Sequence, residues 1–167
     1  MALTTRAGKG SALTHAELDA NFTGLANGSL RVGVTDGSDA AAGVVGEYQS
    51  AGLIASVPLT TATSVDVNTL ILSAGDWDVS GVVIYTFDPT TSFTSFVAGI
   101  STTANTLGAT GTYSRTSMAA SVIAFSPVIL SPNIRINVSV QTTVHLVAVA
   151  LFTVAAASAT GLMRARR

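Results

Sequence analysis

Asp76 and Asp78 form the one close carboxylate pair in the strand-rich part of this sequence. They alternate with Trp77 and Val79, so a strand through this segment would carry both carboxylates on one face. Two carboxylates on one face can bind a cation or act as a general acid and base. The same pattern is typical of a solvated strand start whose charges prevent edge pairing. Both interpretations stay open on the sequence alone.

Basic side chains concentrate at the C-terminus, where Arg164, Arg166 and Arg167 account for three of the eight Lys and Arg residues. Arg164 and Arg166 would share one face of a strand. Such a cluster can serve as a solubilising tail. It can also contact the acidic residues near Asp76 and Asp78, or a neighbouring subunit.

The other residues that could act in catalysis or bind a metal form no catalytic pattern. His15 begins a predicted helix, and His145 stands between Val144 and Leu146 in an apolar segment, where a structural role is expected. There is no cysteine, no nucleophile elbow and no metal-ligand spacing. The segment from Asp36 to Asp39 resembles part of a calcium loop but lacks its later Glu, so a turn is expected. We therefore expect neither an enzyme nor a bound cofactor or metal.

Composition indicates a protein that buries much of its surface in an assembly. Charged residues are 10% of the 167 residues, hydrophobic residues 48%, and the net charge is −1. Soluble proteins usually have about 25% charged residues, and a neutral chain has no basic surface for nucleic acid. The longest apolar run, Leu146 to Phe152, is too short to cross a membrane, and the first 14 residues are no signal peptide. We expect a homo-oligomer, with neither nucleic-acid binding nor membrane insertion.

One short helix is predicted near the start of the chain, over residues 13–26. Thr14 and Glu17 have the spacing of a capping box, in which each side chain bonds the backbone of the other. An apolar stripe follows and is formed by Leu13 before the cap, then by Leu18, Phe22 and Leu25 at helical spacing. Isolated helices of this length are marginal in water, so the stripe must dock on its own domain or on another protein.

Strand signals dominate the chain from about Glu47. The predicted strands are 44–50, 53–59, 65–72, 76–87, 93–101, 118–130, 133–141, 143–156 and a short closing strand, 162–166. Turn residues separate them, and no helix intervenes. About eight strands with short turns favour an all-β, antiparallel, jelly-roll-like β-sandwich. A bulge or a doubly buried segment is expected at Gly81 and Val82, where the alternation of the strand breaks.

Three regions are therefore expected along the chain. Residues 1–27 would form an anchor, with the first ten residues extended and the short helix behind them. Residues 28–46 have the Gly, Ala, Asp and Ser content of a linker or arm. Residues 47–167 would form the β-sandwich domain.

The segment "KGSALTHAELDANFTGL" resembles the N-terminal segment of tail-fibre and related appendage proteins of tailed bacteriophages. The residues that match its pattern are Gly10, Leu13, Thr14, Glu17, Leu18, Asp19, Asn21 and Phe22. "LSAGDWDVSG" and the closing "MRARR" also resemble a small β-domain of phage virion proteins. In that family the N-terminal segment joins the appendage to the particle, and the β-domain trimerises or faces the host. No coiled-coil or β-helical shaft follows, so the length fits a short spike, head fibre or decoration protein.

The resemblance implies a structural virion protein, assembled in the bacterial host cytoplasm. Leu13, Leu18, Phe22 and Leu25 would dock it on a capsid, neck or tail protein, and the sandwich would form a trimer. One alternative is a module that binds host-surface carbohydrate, with Tyr85, Phe87, Phe93, Tyr113 and loop 102–117 as candidate contributors. The other is a small hydrolase, for which only Asp76 and Asp78 could supply the catalytic pair.

Overall fold

A computed structural model describes residues 3–26, 40, 42–43, 45–122, 126–153 and 156–167. The chain divides into two compact units, Met1–Glu47 and Tyr48–Arg167. The predicted arm at 28–46 and the turn at 36–39 fall largely outside the described residues.

Two helices form the described part of the first unit, α1 (Arg6–Lys9) and α2 (His15–Ala26). The prediction that the first ten residues are extended is wrong, because Thr5 caps α1 by accepting a hydrogen bond from Gly8 N at 3.1 Å. Gly10, with φ 72°, ends that turn in the left-handed conformation. Within the described residues, neither helix is long and apolar enough to cross a membrane.

Ten antiparallel strands form two sheets in the second unit. They are β1 (Tyr48–Ala51), β2 (Val57–Pro58), β3 (Val65–Leu72), β4 (Gly75–Phe87), β5 (Ser92–Ser101), β6 (Tyr113–Val122), β7 (Val128–Leu130), β8 (Ile134–Val138), β9 (Thr142–Thr153) and β10 (Ala157–Arg166). Sheet A has the order β1-β10-β4-β7, and sheet B has the order β3-β9-β5-β6.

The strand order is that of a jelly roll. In sheet A, β1 and β2 both pair with β10, and β7 and β8 both pair with β4. When each of these pairs counts as one strand, eight strands follow the orders 1-8-3-6 and 2-7-4-5, which is the jelly-roll arrangement of two sheets. The predicted all-β sandwich is therefore confirmed.

Several strand boundaries differ from the sequence prediction. β1 and β2 span 48–51 and 57–58 where 44–50 and 53–59 were expected, and β8 and β9 end at 138 and 153, before the expected 141 and 156. The expected strand 118–130 is two strands in different sheets, and β6 begins within the expected loop 102–117. Pro127, which has no backbone N–H, lies at the crossover, and its carbonyl accepts a hydrogen bond from Tyr85 N at 3.0 Å. The closing strand is also longer than expected, because small residues from Ala157 onward face the core and give no apolar signal.

The core lies between the sheets and includes Trp77, Tyr85, Phe93 and Phe96, all fully buried. The hydroxyl of Tyr85 lies 2.5 Å from Val97 O, to which it donates a hydrogen bond. Burial raises the pKa of this hydroxyl above its usual range, so that it stays protonated as a donor.

Of the two alternatives expected at Gly81 and Val82, the bulge is absent, because β4 pairs with β10 there without a register shift. A doubly buried segment is absent as well, since Gly81 is buried and Val82 is only half-buried. Gly81 lies opposite Leu146, which packs against it from sheet B: a Cβ at position 81 would lie 2.7 Å from Leu146 Cδ1. The alternation of inward- and outward-facing residues in β4 thus continues through Gly81, which takes an inward position. The register shifts of the sandwich lie in β3, between Asp66 and Asn68, and in β5, between Phe93 and Ser95.

Candidate functional site

Helix α2 begins with both hydrogen bonds of a capping box. Glu17 N donates to Thr14 Oγ1 at 3.2 Å, and Glu17 Oε2 accepts from Thr14 N at 2.8 Å. Asn21 fixes the preceding segment, since its side chain exchanges two hydrogen bonds with the backbone of Thr4 at 3.0 and 2.8 Å. The described N-terminal segment is therefore held to α2 by side chains that belong to the phage-like motif.

Lys9 in α1 forms an ion pair with Glu17 at the start of α2. The hydrogen bond from the Lys9 ammonium, followed by those from Thr14, lowers the pKa of Glu17 from 4.5 to about 2. The carboxylate thus joins the two helices and caps the second one.

The lowered pKa predicts an acid-sensitive contact between the helices. Because the folded-state pKa lies below the unfolded value, the stabilisation by Glu17 is complete above about pH 4.5 and is lost as pH falls through about 2. An NMR titration of the Glu17 carboxyl should give a midpoint near the lower value, and Lys9→Gln should move it upward. A midpoint in the ordinary carboxyl range in the unaltered protein would contradict this geometry.

The apolar stripe of α2 is exposed where it is described. The side chain of Leu18 is 41% exposed and that of Phe22 is 63% exposed, while Leu13 is half-buried. The side chain of Leu25, the fourth predicted docking residue, lies outside the described residues. Two large apolar side chains on a capped helix therefore face outward.

A row of four polar side chains crosses the outer face of sheet A. The strand register places Tyr48 of β1 opposite Arg166 of β10, Arg166 opposite Asp78 of β4, and Asp78 opposite Arg135 of β8. All four side chains are exposed. We call these four residues the outer row.

On this face Arg135 forms an ion pair with Asp76, which lies two residues before Asp78 on β4 and diagonally across from Arg135. Its Nε donates to both Asp76 oxygens at 2.7 and 2.9 Å, and this hydrogen bonding lowers the pKa of Asp76. The sequence left open that Arg164 or Arg166 contacts Asp76, but Arg135 takes that place because β8 brings it beside Asp76. A carboxylate held in this way is a poor proton donor.

Arg166 and Asp78 face one another without an ion pair. Neither side chain forms a hydrogen bond or salt bridge with a described residue. Asp78 also lies opposite Arg135 and attracts it electrostatically. Arg164, two residues before Arg166 on the same face, donates from Nε to Ser80 Oγ at 3.2 Å. The outer face thus presents one carboxylate and one guanidinium whose polar atoms are available to a ligand.

A groove of about 530 Å³ lies over this part of the outer face. Tyr48, Asp78, Ser80, Asn133, Arg164 and Arg166 supply its polar lining. A second cavity, of about 250 Å³, shares Asp78 and Arg166 with the first and extends toward Arg135. The volume of the larger groove lies within the 300–1,000 Å³ usual for small-molecule sites.

The C-terminal residue is part of the sandwich and not of a free tail. Arg167 donates to Ser73 Oγ at 2.7 Å and to Ala74 O at 2.9 Å, in the turn between β3 and β4. Its guanidinium lies 4.6 Å from the ring centroid of Trp77, within the range of a cation–π contact. Arg164 and Arg166 are therefore held on a strand with fixed ends.

His145 has a structural environment. Its Nδ1 lies 2.7 Å from Asp66 Oδ2, and Asp66 exchanges two backbone–side-chain hydrogen bonds with Asn105 at 2.8 and 2.9 Å. Ser101, opposite His145 in the register, bonds instead to Thr103. Among the described residues no hydroxyl forms a hydrogen bond with His145. The His145–Asp66 pair, through the bonds of Asp66 to Asn105, holds the loop after β5 in place.

Sequence reasoning missed Tyr48 and Arg135. Of the aromatic residues named as candidates for a sugar site, Phe87 and Tyr113 are half-buried. Tyr85 and Phe93 are buried in the core, because their alternation places them on the inner face. Tyr48, 43% exposed, borders the groove instead. The alternation of residues 133–140 could have indicated the outward position of Arg135, but not its partner strand. Within the part of the chain that the structure describes, no three His, Asp or Glu residues converge as metal ligands.

No protein-family description and no curated protein matches this chain. Solved structures with similar coordinates include infectious bursal disease virus, Gx strain, at 12% identity and a TM-score of 0.39, and its Gt strain, at 11% and 0.40. The VP2 subviral particle of the same virus gives 12% and 0.39. Each alignment covers 80% of this chain and 36% of the other, so the chain spans about a third of those proteins. The fold assignment rests on the strand order of the sandwich itself.

Proposed function

We propose that this protein is a structural subunit of a tailed-bacteriophage virion. It serves as a short fibre, spike or head-decoration protein that is assembled in the host cytoplasm and carried on the particle. The first unit docks on another virion protein, and the sandwich is the displayed part. The role is binding and assembly rather than catalysis.

The outward-facing apolar stripe of α2 carries the proposal. Leu18 and Phe22 expose large apolar surfaces on a helix whose capping box and reciprocal Asn21 contacts fix its local shape. A helix that lays an apolar face into a groove of a partner is a common recognition mode. The resemblance of this segment to phage anchors favours a capsid, neck or tail protein as that partner.

The composition of the sandwich surface supports a homo-oligomer, which we propose to be a trimer. Large apolar side chains are exposed at strand ends and in turns, among them Val122, Val128 and Val140. The chain has few charges to keep such surfaces apart. Burial of these three side chains between subunits would remove their apolar area from water.

Incorporation into particles tests the docking role. The full chain with Leu18→Ser and Phe22→Ser should lose at least about 90% of its incorporation, because the removed apolar surfaces are those that supply the docking energy. The measurement is the amount of the protein in purified virions produced by a phage that carries the altered gene. Removal of residues 1–27 should have the same effect.

Ile71→Ser is the matched control, since Ile71 is a 56% exposed apolar side chain on β3, remote in sequence from the anchor. It should leave incorporation unchanged. Light scattering of each variant should give three times the 16.8 kDa chain mass, which shows that subunit assembly is intact. Normal incorporation of the double variant would refute docking through α2, and a monomeric mass for the unaltered protein would refute the trimer.

A further inference from the structure

The groove on the outer face of sheet A has a lining that the assembly role does not use. Within it, Arg166 and Asp78 occupy facing positions of β10 and β4, and neither side chain forms a hydrogen bond or ion pair with a described residue. Asp78 also lies opposite Arg135 and attracts it electrostatically, but its oxygens accept no side-chain hydrogen bond. The Arg166 guanidinium and the Asp78 carboxylate are therefore both open to a ligand that contacts them together.

Two guanidinium groups give one part of the groove an excess of positive charge. Arg164 and Arg166 are two residues apart on one face, so their Cα atoms lie about 6.6 Å from each other. Arg164 uses Nε for Ser80, while Arg166 keeps its whole planar fork. That fork matches a carboxylate in a bidentate arrangement.

The remaining lining fits hydroxyl groups and an apolar ring face. Asp78 accepts hydrogen bonds, Asn133 both donates and accepts, and Ser80 offers a hydroxyl. The exposed ring of Tyr48 supplies a flat wall with a polar tip. Asp78 would repel a phosphate dianion more strongly than a singly charged carboxylate, and it can accept a hydrogen bond from a sugar hydroxyl.

We propose that this groove binds a carboxylate-bearing sugar, a hexuronic acid unit. Arg166, assisted by Arg164, holds the carboxylate, Asp78 and Asn133 hold hydroxyls, and Tyr48 covers one face of the sugar ring. This proposal goes beyond the virion role and does not depend on it, because the groove lies wholly within residues 48–167.

Calorimetry with trigalacturonic acid and its methyl ester tests the proposal on the full chain. The two probes differ in charge and have the same hydroxyl groups. The Kd of the acid should therefore be at least about tenfold lower than the Kd of the ester. Arg166→Gln should raise the Kd for the acid by about tenfold or more and leave that for the ester unchanged. Tyr48→Ala should weaken both probes and preserve their ratio.

Arg115→Gln is the matched control, because Arg115 is an exposed arginine on β6 of the other sheet. It should bind both probes as the unaltered protein does, and the fluorescence of Trp77 should show that every variant is folded. Equal affinity for acid and ester, an equal loss in Arg115→Gln, or no binding of either probe would overturn the proposal. A changed mass of Arg166→Gln in light scattering, without acid binding, would also overturn it and assign the outer row to a subunit contact.

Discussion

Asn68→Asp should destabilise the sandwich by about 3–5 kcal/mol at neutral pH, the usual cost of a buried charge without a partner. Asn68 is 5% exposed, and its amide nitrogen donates to Gly52 O and to Gly161 O, each at 2.7 Å. Gly161 belongs to β10 in sheet A and Asn68 to β3 in sheet B, so this amide joins the sheets. An ionised carboxylate of the same shape would present oxygen atoms to both carbonyls.

The penalty of Asn68→Asp should depend on pH in a defined direction. Burial beside two carbonyl oxygens raises the folded-state pKa of the introduced carboxyl above its unfolded value, roughly 3.9. A raised folded pKa means that stability is greatest below the unfolded pKa and is lost as pH rises through the folded pKa. The variant should therefore lie closest to the unaltered protein in acid.

Urea unfolding followed by the fluorescence of Trp77 measures this effect, because the single tryptophan lies in the sandwich core. Asn133→Asp is the control, since Asn133 is exposed and the same substitution there should change the free energy of unfolding by less than about 0.5 kcal/mol. Equal losses in the two variants, or a loss in Asn68→Asp that is independent of pH, would show that the amide does not join the sheets as described.

The sequence could predict the sandwich because most strands carry their burial pattern in their residue types. Residues 65–68 and 76–80 alternate apolar and polar positions, and the strands that contain them, β3 and β4, lie within one residue of the predicted bounds. The C-terminal strand was underestimated, because Ala157, Ala159 and Gly161 face the core without large side chains. Small residues produce no periodic pattern of large apolar side chains in the sequence. Only their contacts in the folded protein show that they are buried.

The sequence could predict only those parts of the candidate sites that depend on the spacing of residues close together in the chain. Thr14 and Glu17 are three residues apart, and a capping box depends on that spacing alone. The outer row joins positions 48, 78, 135 and 166, and it exists only because four strands align in one register. Asp78 was identified from the sequence, but its neighbours could not be, since residue types do not specify strand order.

Gly161→Ala should lower the free energy of unfolding by about 3 kcal/mol, near the upper end for overpacking in a core. A Cβ at this position would lie 2.5 Å from Leu146 Cδ2 and 2.7 Å from Val82 O. Leu146 is fully buried and fills a depression in sheet A that the absence of side chains at Gly81 and Gly161 creates. The carbonyl belongs to the paired strand β4, so it cannot move aside as a side chain could.

Gly52→Ala is the matched control for this prediction, because a Cβ there would meet no atom within 4 Å. It should be neutral or stabilise the protein by up to about 1 kcal/mol, since alanine restricts the unfolded chain. Leu146→Ala combined with Gly161→Ala should cost less than the sum of the two single changes, because the smaller side chain removes one of the two close contacts. Strict additivity in urea unfolding would show that Leu146 does not occupy the glycine depression, and that the two sheets pack by other contacts.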